Sequence, residues 1–253
     1  DPDDVDRHRP HRRRDEGLRR RRSGRVLILL DIDGTMLLTR GAGIRAMERA
    51  GCELFGEGFG FGEIETAGRL DSLIWDDLAG ANGVDATAEN HERFRARYAE
   101  HLRDLLETEK SAVALPGVAA LVDALRSRDD LCLGLLTGNY PETGHLKIGA
   151  AGYDPSAFRV AAWGIDGPTR RALPPVAMRR HAELHGREIA PQRVVIIGDT
   201  PHDIDCARHN ACRSIGVATG AFDRERLAAD GADLALDDLS DTGRVIDWLG
   251  SLD

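Results

Sequence analysis

The sequence predicts an α/β protein: a parallel-sheet core with a helical cap domain inserted after the first strand. Three observations predict it. Val26 to Leu30 is a continuous apolar run, as expected of a central parallel strand covered on both faces. Runs of the same kind follow at 131–136, 158–162, 194–197 and 214–217, with a weaker one at 233–236, and helical patterns separate the later ones. That alternation specifies a parallel sheet built from crossovers. Finally, the gap between the first two runs, about 38 to 114, is far longer than one crossover helix and has a helical pattern of its own.

In chain order, residues 1–24 come first. They hold nine Arg and six Asp or Glu and almost no apolar side chains. Such a segment cannot bury enough surface to offset its ordering entropy, so it is expected to be a disordered Arg-rich tail. Residues 25–38 and 115–253 are expected to form a Rossmann-like catalytic core and residues 39–114 the helical cap. Within the cap, 44–50, 70–78 and 86–108 read as helices, the last with Phe94, Tyr98, Leu102 and Leu105 about one turn apart. In the core, Val118, Leu121, Val122 and Leu125 form an i, i+3, i+4, i+7 stripe after Pro116 and Gly117, a helix start. Helices are also expected over 141–151, 173–185 and 203–210, with Val245, Ile246 and Leu249 marking a closing one.

Bulk properties exclude several classes. The chain of 253 residues is 42% hydrophobic and 30% charged, a soluble globular composition. No apolar run approaches the roughly 20 residues that span a bilayer, and the start is too charged for a signal-peptide core. A cytoplasmic protein with no membrane partner is expected. The net charge of −9, with an excess of Arg in the first 24 residues, leaves an acidic body, which argues against nucleic acid as a partner. The four cysteines, at 52, 132, 206 and 212, form no C-x-x-C pair and fit a reducing compartment. Cys132, in an apolar run, reads as packing.

Chemistry begins where the first strand ends, in Asp31-Ile32-Asp33-Gly34-Thr35. Ligands bind at the carboxyl ends of strands in open α/β sheets. Two carboxylates two residues apart share a face in extended backbone. Like charges that close need a cation or a shared proton. Gly34 permits a sharp turn and close approach to a ligand, and Thr35 can hydrogen-bond within that turn.

At this point the chain resembles the haloacid-dehalogenase-like hydrolase superfamily, whose first motif, D-x-D-G-T after an apolar strand, it matches at every defined position. The resemblance implies that Asp31 is the nucleophile and that Asp33 protonates the leaving oxygen and then deprotonates the hydrolytic water. It implies that Thr137, ending the second strand in Thr137-Gly138-Asn139, binds a phosphoryl oxygen, with Gly138 and Asn139 lending backbone amides. Gly198-Asp199-Thr200-Pro201-His202-Asp203 matches the fourth motif. By it Asp199, with Asp31 and the backbone carbonyl of Asp33, would hold Mg²⁺, supported by Asp203. Oxygen-only ligands suit that ion.

One departure concerns the cation that neutralises the nucleophile. The usual Lys before the fourth motif is missing, and Gly167-Pro168-Thr169-Arg170-Arg171 stands there. Lys147, on the helix after Thr137, is the expected replacement, with Arg170 and Arg171 as substitutes. In the cap, Arg69 either grips a substrate carboxylate or second phosphate, or pairs with Asp71 at a helix start. Gly34 and Thr35 are also expected to line the substrate site. His202 reads as a loop residue, and His181, His185 and His209 as helix surface without metal-ligand spacing.

The four motifs in order resemble the phosphoglycolate-phosphatase-like branch most closely. They imply Mg²⁺-dependent hydrolysis of a small phosphorylated metabolite through an aspartyl-phosphate, by a monomer or homodimer. The competing readings are a phosphoglucomutase-type phosphotransferase and a non-catalytic protein that binds through its Arg-rich tail.

Overall fold

Val26–Leu30 (β1) is buried at all five positions. Its side chains alternate between two cores: Ile28 and Leu30 enter one cluster, Leu27 and Leu29 the other. This is the period of two expected of a strand with no solvent face. Each such Leu or Ile contributes about 1.5–3 kcal/mol by burial. The computed structural model describes residues 26–252. The Arg-rich segment 1–24, for which disorder is expected, lies outside the described residues.

Six parallel strands form one sheet: β1, β4 (Leu131–Leu136), β5 (Val160–Ala162), β6 (Val194–Gly198), β7 (Arg213–Val217) and β8 (Leu234–Leu236), in the order β5-β4-β1-β6-β7-β8. From β1 the chain builds outward on one side and then returns to build on the other. The crevice at the carboxyl end of β1 is therefore the switch point where open α/β sheets bind ligands. The α4 (Val118–Arg126), α5 (Pro141–Ala150) and α9 (Thr242–Gly250) helices cover one face through Val118, Leu121, Ile148, Val245 and Leu249. The other face is covered by α6 (Leu173–His185) and α7 (Pro201–His209) through Val176, Ala177, Cys206 and Ala207.

The expected insertion is helical: α1 (Ala42–Phe55), α2 (Asp71–Ala81) and α3 (Ala88–Glu109). It has a core of its own around Trp75, Phe94 and Tyr98. A Cβ on Gly51 would collide with Phe59, so glycine is what lets that ring lie against α1. Two elements absent from the sequence reading, β2 (Leu37–Leu38) and β3 (Val113–Ala114), pair antiparallel where the chain enters and leaves the insert. This ribbon joins residues from both sides of the boundaries drawn at 38/39 and 114/115. One core residue, Tyr140, belongs to the insert's cluster. Its hydroxyl lies 2.7 Å from His91 Nε2, and the Arg95 guanidinium sits 4.6 Å over its ring. Arg95 also pairs in a fork with Glu142 at 3.1 Å, so α3 is tied to the start of α5 by both apolar and charged contacts.

The expected elements are present, with shifted ends. The α7 helix begins at Pro201 rather than 203, because Thr200 and Asp203 form a capping box there. A short helix missing from the sequence reading, α8 (Arg224–Ala229), fills the crossover between β7 and β8.

Candidate active site

The crevice is built from the ends of three adjacent strands. Asp31 follows β1, Thr137 follows β4 and Asp199 follows β6. The Asp31 amide donates to Ile197 O at 2.9 Å, locking the end of β1 to β6. The chain then turns. The Gly34 amide donates to Leu37 O at 2.9 Å, and Gly34 has φ 79°, a left-handed conformation that favours glycine. A Cβ there would run into the Asp199 carboxylate, so the same glycine permits the turn and the approach of motifs distant in sequence.

Asp31, Asp199 and Asp203 converge, one carboxylate oxygen from each lying within 4.8 Å of the others. All three are buried. Burial pushes Asp31 up to about 6, against the pull of Arg170, with Asp203 and Asp33 adding to the rise. Burial, with Asp203 and Asp31 nearby, pushes Asp199 up to about 8. Carboxylates held this way are short of positive charge. Three converging oxygen donors in such a field fit a hard divalent cation such as Mg²⁺.

Two cations flank the group. Arg170 Nη2 lies 3.1 Å from Asp31 Oδ2 and 2.5 Å from Asp203 Oδ1. Burial alone would pull its pKa down, but Asp203 and Asp31 hold it above the usual value. Lys147 Nζ donates to Asp33 Oδ2 at 2.7 Å and to Asn139 Oδ1 at 2.6 Å. Lys147 therefore points into the crevice as expected, but the carboxylate it meets is Asp33. The cation against Asp31 is Arg170, which the sequence offered only as a substitute. Arg171 turns outward to Asp205 at 2.7 Å.

The remaining expected residues fall as follows. Thr137 is fully buried, and its hydroxyl accepts from the Asn139 side chain at 2.8 Å. The same Asn139 amide group donates to Asp33 Oδ2 at 2.8 Å. The Thr35 hydroxyl donates to Asp199 Oδ1 at 3.1 Å, so it orients that carboxylate from beneath. Gly138 lies against the insert, where a Cβ would strike Arg69 O. Arg69 lines the cavity but pairs with Asp77 at 2.6 Å, not with Asp71. Asp71 is buried instead, accepts from the Tyr140 amide at 3.2 Å, and is pushed by burial to about 7 although Lys147 pulls it down. The expectation that His181 and His185 lie on the helix surface is corrected. His181 is fully buried and His185 half-buried, because their i, i+4 spacing turns both toward β4.

The cavity above these groups holds about 250 Å³. Its far wall comes from the insert: Thr39, Ile44, Met47, Asp71 and Tyr98, together with the loop 66–69. A Cβ on Gly68 would meet Thr200 and His202, so that loop closes against the core without room for a side chain. The sequence reading missed Asp71, Tyr98 and the loop after β7. In that loop the Thr219 hydroxyl donates to Gly34 O at 2.6 Å and Gly220 packs on Asp199. An available signal was Thr219-Gly220 at the end of an apolar strand, the pattern already noted at Thr137-Gly138.

Fold and site together define an open α/β crevice with a helical insert over clustered carboxylates, and comparison with known proteins gives the family. The family model for haloacid dehalogenase-like hydrolases matches residues 28–208. This chain belongs to that family. A phosphoglycolate phosphatase from Synechococcus elongatus is 32% identical over 137 residues, which are 53% of this chain and 59% of that protein. The chain thus matches little more than half the length of this curated relative. Among solved structures, a mutant of CbbY from Rhodobacter sphaeroides in complex with xylulose-(1,5)bisphosphate superposes with TM-score 0.68 at 19% identity, covering 85% of this chain and 95% of that one. A β-phosphoglucomutase from Clostridium difficile gives 0.66 at 17% identity, covering 90% and 98%. At these identities the structural likeness speaks for the fold. Among the described residues no helix is long and apolar enough to cross a membrane.

Proposed function

We propose that this hydrolase cleaves a small phosphate monoester with Mg²⁺ as cofactor, by way of an aspartyl-phosphate on Asp31. The observation that carries this reading is that Asp31 and Asp33 line one crevice with different surroundings, the first buried among carboxylates and Arg170, the second part-exposed beside Lys147. Asp31 and Asp199 would hold the ion with the backbone carbonyl of Asp33, and Asp203 would support them. Bound there, the ion would supply positive charge against the carboxylates and an incoming phosphate, so that one anion could approach another.

An Asp31 oxygen attacks phosphorus, and the bond from phosphorus to the leaving oxygen breaks. Asp33, as the acid, gives that oxygen its proton. Asp33, now a carboxylate, takes a proton from water, whose oxygen attacks phosphorus and releases Asp31 and inorganic phosphate. Splitting one displacement into two lowers each barrier, and acid–base help is worth about 10²–10⁴-fold. Arg170 keeps Asp31 ionised against burial. Lys147 and Asn139 hold the Asp33 carboxylate in one rotamer, and the Thr137 hydroxyl is in place to donate to a phosphoryl oxygen.

The leaving group would sit against the insert, in a cavity sized for a small metabolite. Among the described residues lining it, Arg69 is the insert's one cation. The similarity to a phosphoglycolate phosphatase supports a small anionic ester, for which Arg69 would exchange Asp77 for a substrate carboxylate. Turnover of p-nitrophenyl phosphate with Mg²⁺, abolished by a chelator and restored by Mg²⁺, tests the chemistry. Phosphate release from a panel of about a hundred monoesters tests the substrate. A protein that releases no phosphate from any of them in Mg²⁺ sinks the proposal.

A further inference from the structure

At the opposite end of the sheet, three side chains with metal-ligating atoms meet. Cys132 is the second residue of β4, and His181 and His185 project from the last turns of α6. Cys132 Sγ and one nitrogen of each imidazole lie within 4.8 Å of one another. The two rings have centroids 4.5 Å apart and planes inclined at 35°. Cys132 is 1% exposed and His181 fully buried. The surroundings are apolar, with Val176, Ala177 and Ile189 in the same cluster as Cys132. His185 Nε2 is buried and makes no hydrogen bond. A buried polar atom left unmatched costs about 1–3 kcal/mol, so an orphaned ring nitrogen on a histidine grouped with a thiol and a second imidazole calls for a reason.

We propose that Cys132, His181 and His185 form a second metal site that takes Zn²⁺ or a similar borderline-soft divalent ion, with water completing a tetrahedron. Sulfur and imidazole select such an ion over Mg²⁺, whereas the oxygen-only carboxylate crevice makes the opposite choice. The H-x-x-x-H spacing puts both imidazoles on one helical face, the arrangement by which a single helix supplies two ligands. Separations under 4.8 Å need only small side-chain rotations to reach Zn–N distances of about 2.0–2.1 Å and a Zn–S distance of about 2.3 Å. Binding expels the Cys132 proton to solvent and forms the metal–sulfur bond. Burial of the thiol resists that loss and pushes it up to about 11, while neighbouring Arg159 favours the thiolate. Arg159 and Arg187 also stand near His185, and their charge weakens the attraction for a dication.

Four residues of β4 lie between Cys132 and Thr137, a span of about 16 Å of strand, so the ion takes no part in phosphate chemistry. It would staple the amino end of β4 to the end of α6, adding stability where the two elements would otherwise part.

The test uses full-length protein expressed in cobalt-supplemented medium and purified in excess Mg²⁺, which clears cobalt from the oxygen ligands. The expected result is an equimolar amount of retained cobalt, a near-ultraviolet thiolate-to-cobalt charge-transfer band, and loss of both in Cys132→Ser and in His185→Gln. Both variants should keep Mg²⁺-dependent p-nitrophenyl phosphate turnover within about twofold of the parent, which reports that they fold. Zn²⁺ should raise the parent's Tm by roughly 5 °C and leave the variants unchanged. A parent protein without the band, or a band that survives either substitution, overturns the proposal. His185→Gln lies at the half-buried helix end, so it decides the matter even if Cys132→Ser fails to fold.

Discussion

The two sides of the candidate active-site crevice differ in how they hold charge. On the Arg170 side, Arg170, Asp31 and Asp203 have side chains only 7%, 6% and 1% exposed. On the Lys147 side, the ammonium is 6% exposed but its partner Asp33 is 43% exposed. The sealed side cannot be rescued by water when one partner is lost, whereas the open side can. The chemistry divides along the same line: the group proposed to form a bond to phosphorus is locked away, and the group proposed to trade protons with solvent is the one solvent reaches.

Substitutions on the two sides should therefore have unequal effects. Asp31→Asn should reduce turnover by at least about 10³-fold, since it removes the attacking carboxylate, while circular dichroism shows the fold retained; residual activity near the parent's would remove Asp31 from its role. Arg170→Ala should cost about 10²-fold in kcat/KM (about 2.7 kcal/mol). It should also lower unfolding stability by about 3–5 kcal/mol in urea titrations, because it strands buried carboxylates. Lys147→Ala should cost about tenfold in kcat/KM (about 1.4 kcal/mol) with a smaller loss of stability than Arg170→Ala, because water can solvate Asp33 although the buried Asn139 Oδ1 loses its donor. Equal stability losses in these two variants would break the comparison.

The smallest effect concerns Asp71, pushed up to about 7 by burial. The folded state then binds a proton that the unfolded chain releases near the usual carboxylate value. Stability is greatest below that value and falls as pH rises toward about 7. Asp71→Asn should abolish this component, so that its Tm relative to the parent is higher at pH 8 than at pH 4. A pH-independent difference would show that Asp71 does not titrate this way.

Much of this crevice was legible in the amino-acid order. The run Val26–Leu30 followed by Asp31, Asp33 and Gly34 announces a buried strand breaking into an acidic turn, and strand ends are where α/β folds place their ligands. The position of Asp199 at the end of another apolar run was equally plain. Orientation was not. Arg170 and Arg171 are indistinguishable as neighbours in a sequence; only the short 3₁₀ turn at Arg170–Ala172 sends one beneath Asp31 and the other to the surface. His181 and His185 had a visible four-residue spacing, but which face of α6 meets the sheet depends on packing against β4. Arg69 finds Asp77 rather than Asp71 because the Asp71 carboxylate faces the Tyr140 amide, an approach of insert to core that no local pattern encodes.

The β2–β3 ribbon has a consequence for how such a hydrolase can change. Because Leu37–Leu38 and Val113–Ala114 run side by side, the two severed ends left by excising everything between them would sit roughly 5 Å apart. A tight turn could bridge them, and so could an unrelated bundle of any length whose own termini are adjacent. Evolution can thus exchange the whole roof at that seam while the acidic floor beneath keeps its register.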